Sequence, residues 1–375
     1  MLKWVQSGLS AVAGTAEPNY GRGAIHTVSD AISAGNVPVS RETTPQDLTW
    51  IHLDHTNVQT QTFYFTDLNS GYTGFAQVIY SNLMGLKTTA QFTFRLYNNK
   101  TGATDPNCLW TSTALENFRT EGPNFYADGL SLVCEDNERF TIKSIVNAAS
   151  KVHLTVTRLT PGVIFGADGL TYYGEDVNAP WGSMRHAFWP RCSVAGTIKL
   201  ANTTITIDGY TMFVMAMQGM KPHHAAKAWN FLNFQSNEYS AVQMEFTTPM
   251  SYALTKVNVA ILTSADKIIA TSIDNKIVHQ DQQRDEIGWN VPRAIIYNFT
   301  DGTDDKVIAK VSGAIPNLVE RVDVMAEIPK LIKNIVSNIA GAKPYIYQFC
   351  NMLTLEYNGA KVLGVAFNEV TFISE

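Results

Sequence analysis

The chain has 375 residues, enough for two domains of ordinary size. Only 16% are charged, against roughly 25% in average chains, and 45% are apolar, which excludes a disordered charged tail and supplies a normal core. The net charge of -5, from 28 basic and 33 acidic residues, excludes a broad phosphate-binding surface, so no nucleic-acid partner is expected.

Residues 1–17 come first. On a helical wheel Met1, Leu2, Val5, Leu9 and Val12 share one face, with Trp4 on its edge and Lys3, Gln6, Ser7 and Ser10 opposite. Pro18 closes the segment. The spacing predicts an amphipathic helix with little charge on its polar face, suited to packing defects in a lipid surface. Leu2, Trp4, Val5, Leu9 and Val12 are its expected membrane contacts, each gaining roughly 1.5–3 kcal/mol at full burial. The alternative is a helix packed on its own domain. Nothing approaches about 18 consecutive apolar residues, so no spanning helix is expected.

Residues 18–47 are rich in Gly, Pro, Ser, Thr and Asn and read as a surface linker with little regular structure. Strand texture begins beyond them. Residues 58–67, 73–81 and 88–97, joined by short turns, predict an antiparallel meander. In the last, Phe92, Phe94 and Leu96 point one way and Thr93, Arg95 and Tyr97 the other. Strands follow at 130–134, 139–146, 151–158, 194–200, 203–207 and 211–217. The second half repeats the texture from 228–235 to 361–373, with an Asn358-Gly359 hairpin turn. A helix over 329–340, from Pro329 to Gly341, carries an apolar stripe of Leu331, Ile332, Ile335, Val336 and Ile339. About eight strands in each half predict an all-β chain of two antiparallel barrels, residues 48–218 and 219–375.

Motifs for catalysis are missing: no G-x-S-x-G, no Walker A, no H-E-x-x-H. No catalytic residue is assigned and no cofactor is expected. His52, Asp54 and His55 sit in a polar loop without a third ligand nearby, so no metal is expected either. Two clusters mix large aromatics with hydrogen-bonding groups. The first, 179–192, holds Trp181, His186, Phe188 and Trp189; the second, 218–234, holds His223, His224, Trp229 and Phe231. Met215 adds a soft apolar wall. Such a mixture lines an apolar pocket with a polar mouth. It equally suits a seam between domains with satisfied polar groups.

Six blocks carry a resemblance to a known family: MLKWVQSGLSAVAG at the start, RETT at 41–44, DHTNVQTQTFYFTD at 54–67, PWGSMRHAFWPRC at 180–192, MFVMAMQGMKPHHAAKAWNFLNFQS at 212–236 and QMEFTTP at 243–249. With these the chain resembles the fungal survival factor family over nearly its whole length. The resemblance implies two tandem lipocalin-like barrels and a non-enzymatic carrier of ceramide or a related sphingolipid between ER and Golgi membranes. It implies a cytoplasmic protein held peripherally at those membranes by its N-terminal helix. Acetylation of the Met1-Leu2 start and a part in survival under oxidative stress are implied as well. A monomer is expected. The rival readings are a lipocalin-like enzyme of hydratase or isomerase type acting on an apolar substrate, and a scaffold in stress signalling. An Asp or Glu within reach of His186 or His223 favours the enzyme.

Overall fold

Period-two alternation builds two curled antiparallel sheets. The computed structural model describes residues 20–374 apart from Met84, Lys221, Thr303 and residues 325–341. The helices expected over 1–17 and 329–340 lie outside the described residues. The first sheet runs in the order Leu109–Ala114, Lys87–Asn98, Tyr72–Leu83, Asn57–Thr66, Thr204–Gln218, Gly182–Lys199, Ser150–Arg158, Arg139–Asn147, Leu130–Glu135, with two short strands beyond. The expected meander is its first part, and Phe92, Phe94 and Leu96 are buried inside the curl as their alternation requires. The sheet bends back on itself, so that Thr111 and Ser150 share a hydroxyl hydrogen bond at 3.1 Å and Asn147 Nδ2 donates to Thr113 at 3.0 Å.

The second sheet runs Ile268–Ser272, Lys256–Thr263, Ser240–Thr247, Ala228–Gln235, Ala360–Ser374, Ala342–Tyr357, Asp304–Ala314, Ala294–Asp301, Lys276–Gln280. A parallel bridge from Ser272 to Gly302 draws its two ends together. Asn358 and Gly359 both have positive φ, 49° and 77°, the geometry of a two-residue hairpin turn. Each curl is filled by its own side chains: Phe63, Phe94, Phe140 and Phe213 in the first, Phe234, Tyr297, Phe299 and Leu353 in the second. Both sheets are of the all-β, lipocalin-like class.

Two segments differ from the sequence reading. Gly182–Lys199 is one strand of 18 residues, although only its end read as strand. Its ladder to the neighbouring strand jumps from Trp189↔Phe213 to Cys192↔Thr211. Pro190 has no N–H to give, and two residues oppose one in a bulge that hid the strand's length. The described part of residues 18–47, read as a linker with little regular structure, instead holds a helix at Val28–Ser33 and short strands at Ile25–His26 and Ser40–Glu42. Thr27 and Asp30 cap the helix reciprocally, each backbone N–H reaching the other side chain at 3.0 Å. Ile25, Val28 and Ile32 are buried, and this apolar spacing was masked by the polar residues around them.

Candidate functional site: the seam between the two sheets

A third apolar core joins the outer faces of the two sheets. The alternation that sends Trp189 and Phe213 inward sends their neighbours Phe188, Met212 and Val214 outward. From the second sheet Phe231, Met244, Phe246 and Phe367 meet them. The rings interlock: Tyr64 lies 5.0 Å from Phe231 and 5.4 Å from Phe367 between centroids.

At one end the seam opens into a crevice with about 280 Å³ of empty space, part of it open solvent. Met184, His186 and Phe188 form one wall, and Met244, Phe246, Val257 and Val259 the other. The enclosed part has room for about one water molecule, far below the roughly 300 to 1,000 Å³ of a ligand cleft, so a two-chain lipid enters only if the sheets part. Val28 and Phe165 close the crevice's end. Val28 belongs to a strap that crosses the seam. Tyr20 and Gly21 donate to Ser251 O of the second half at 2.9 Å, while Ile25 pairs with Tyr173 of the first.

His186 is the titratable group in the crevice wall, which also holds Thr171. Its ring stacks along Phe188 at 6.1 Å and meets the edge of Trp229 at 5.7 Å. Burial, with a smaller push from Arg185, takes its pKa down to about 3, so it is a neutral imidazole. No side-chain hydrogen bond reaches it among the described residues, and no carboxylate contributes to its titration. Arg185 itself turns to Asp47, donating to the backbone O at 2.7 Å and to Oδ1 at 2.8 Å.

A second polar pair lies elsewhere on the seam face. Gln348 and Glu369 face each other across adjacent strands, and Gln348 Nε2 donates to Glu369 Oε1 at 2.8 Å. Burial pushes the Glu369 carboxyl up to about 7, against the Gln348 bond. A third polar contact clamps the seam. Arg191, thrown outward by the bulge, donates to Ser236 O, Asn237 O and Ser240 Oγ at 3.1, 2.8 and 2.8 Å, and stacks on Tyr210 at 4.1 Å.

The residues singled out from sequence separate accordingly. His186, Phe188, Trp229 and Phe231 come together in the seam. Trp181 stands at its rim, 40% exposed, beside Tyr20, Tyr173, Tyr252 and His224. Trp189 and Met215 do not join them: they face the interior of the first curl, one register position away. The side chain of His223 is outside the described ones. Met184, Met244, Phe246, Val257 and Val259 were missed. The strict alternation of Val242, Met244 and Phe246 with Gln243 and Glu245 was the signal that marks a two-faced strand.

A sequence profile of the Svf1 family matches residues 2–374. The ceramide-binding protein SVF1 of Debaryomyces hansenii is 63% identical over the whole of both chains, and that of Candida albicans 59% over the same extent. Among solved structures, a candidate AttH protein of Nitrosomonas europaea superposes with a TM-score of 0.61 at 14% identity, covering 88% of this chain and 96% of that one. Kievitone hydratase of Nectria haematococca gives 0.53 at 14% identity, with coverages of 90% and 97%. The likeness of these structures is one of fold. The full-length match and the relatives' identity place the chain in the Svf1 family.

Proposed function

We propose that the chain is a non-enzymatic carrier of ceramide, with domains 48–218 and 219–375 acting as two jaws that hold the lipid in the seam between them. The observation that carries this reading is the 63% identity, from end to end, to a ceramide-binding protein. The apolar seam supports it, because both curls are already filled. A buried acyl chain gains about 0.8 kcal/mol per CH₂, which favours a long lined seam over a small pocket. Among the described residues no helix is long and apolar enough to cross a membrane. The carrier instead touches ER and Golgi surfaces through residues 1–17, with Met1 acetylated, and supports survival under oxidative stress by keeping ceramide in transit. The strap over the crevice follows that segment in the sequence, beginning at Tyr20.

Native mass spectrometry with lipid extraction, on protein purified from its own cytosol, tests the reading. One ceramide per chain is the expected result. Protein that stays empty after incubation with ceramide vesicles contradicts it. Leu2→Asp and Val5→Asp are expected to lower binding to neutral vesicles by about tenfold or more each, since a charge at these positions removes burial worth more than 1 kcal/mol. Vesicle flotation reads this, and unchanged flotation of both variants removes residues 1–17 from the mechanism.

A further inference from the structure

We propose that Glu369 and Gln348 form the polar head subsite of the seam, taking an uncharged lipid head that carries hydroxyl and amide groups and rejecting a phosphorylated one. The proposal rests on the carrier reading and adds where the head lies and what it must be.

The pair sits on the seam face. Glu369 and Gln348 share a register position, and the next pair on that face, Phe367 with Cys350, is buried in the seam. Phe231 is the neighbour of Glu369 on the other side. From the first sheet Tyr64 and Phe75 cover Phe367 at 5.4 and 6.1 Å. A carboxyl group thus stands among aromatic rings. Such a group serves structure when a cation or several donors hold it. Here Gln348 Nε2 is the one donor, and no Lys or Arg pairs with Glu369 among the described residues. Gln348 is buried while Glu369 is half-buried, and Gln348 Oε1 accepts no hydrogen bond among the described residues. Buried amides are normally satisfied at both ends, so an acceptor left open beside an acid marks a place for a donor from outside.

The surrounding charges define what fits. Tyr64 faces Glu369 from the first sheet, and Tyr297 feels it through the second. Glu320, one strand over from Gln348, is paired with Arg95 at 3.0 Å, and Arg95 also donates to Val319 O at 3.0 Å. That ion pair leaves the site no net positive charge. A phosphate would bring about 1.5 to 2 further negative charges into this site without a free cation. A neutral head does better. Its hydroxyl donates to Gln348 Oε1, and its amide carbonyl accepts from the protonated carboxyl of Glu369. A bound head excludes water and favours the neutral acid further, so uptake is strongest below the carboxyl's pKa, which burial raises to about 7, and weakens as pH rises through it.

The test uses the full chain with fluorescent ceramide and its 1-phosphate, each offered in phosphatidylcholine vesicles. The wild type is expected to take up ceramide at least about tenfold better than the phosphate, and to lose uptake between about pH 6 and about pH 8. Glu369→Gln, which cannot ionise, is expected to flatten that profile, so that its uptake at about pH 8 is no lower than at about pH 6. Gln348→Leu is expected to lower ceramide uptake about tenfold, the worth of one hydrogen bond to an open buried acceptor, with the far-ultraviolet spectrum of the folded protein retained. Equal uptake of both lipids, or a pH profile that Glu369→Gln leaves unchanged, overturns the subsite and leaves the carrier reading standing. No ceramide uptake by the wild type at any pH overturns both.

Discussion

Asp47→Ala is expected to destabilise the protein by about 3–5 kcal/mol, the usual loss when one partner of a buried ion pair is removed. The Asp47 carboxylate is held from three sides. Arg41 donates to both oxygens at 2.7 and 2.9 Å, Thr44 gives its N–H and hydroxyl at 2.7 and 2.9 Å, and Arg185 reaches Oδ1 at 2.8 Å. Without it the Arg185 guanidinium, largely buried next to His186, keeps its charge and loses its counterion. Burial alone raises the Asp47 pKa, but the bonds from Arg41 and Thr44 outweigh it and hold the carboxyl below the usual carboxylate range. The stabilisation is therefore fully present above the unfolded-state pKa and is lost as pH falls through the lower folded value. Urea unfolding at neutral pH and at about pH 3 reads both parts, with the difference between variant and wild type shrinking at the lower pH. A deficit that is constant with pH contradicts an ionic role for Asp47.

Arg191→Met is expected to weaken the clamp between the sheets by about 3–5 kcal/mol, from three lost charge-assisted hydrogen bonds and a stacked cation, partly offset by the apolar replacement. The acceptors Ser236 O, Asn237 O and Ser240 Oγ belong to the second half, while Arg191 and Tyr210 belong to the first. Loss of the clamp acts on the coupling between the halves more than on either core. Urea unfolding of the variant is expected to separate into two transitions, followed by near-ultraviolet and far-ultraviolet signals that no longer coincide. Arg191→Lys is expected to recover little, because one ammonium group cannot span three acceptors in a fork. A single transition at the wild-type midpoint contradicts the clamp.

Much of this fold was legible before the structure. Alternation such as that of Phe92, Phe94 and Leu96, and the Asn358-Gly359 turn, are short-range signals that act through one strand or one hairpin. The strap was harder to see. Ile25, Val28 and Ile32 gain their meaning from partners more than a hundred residues away, such as Tyr173 and Thr171. The bulge at Pro190 and Arg191 likewise reverses which face a residue takes, and period-two reasoning does not pass through it. The candidate site was half legible. An aromatic cluster with His186 was visible in composition, but the face of Trp189 or Met215 depends on which of two sheet faces becomes the seam. Gln348 and Glu369 stood in a strand sequence without any local mark, because only the packing of a second sheet over that face sets an ordinary polar pair among apolar rings.

Ceramide held between the two sheets lays its acyl chains against their facing strands. Photo-cross-linking with a ceramide that carries a diazirine in its acyl chain, followed by peptide mapping, tests it most directly. Adducts are expected on the facing strands, within residues 184–188, 229–231 and 242–259. Adducts confined to the interior of either curl, at residues such as Phe140, Phe213 or Phe299, contradict it.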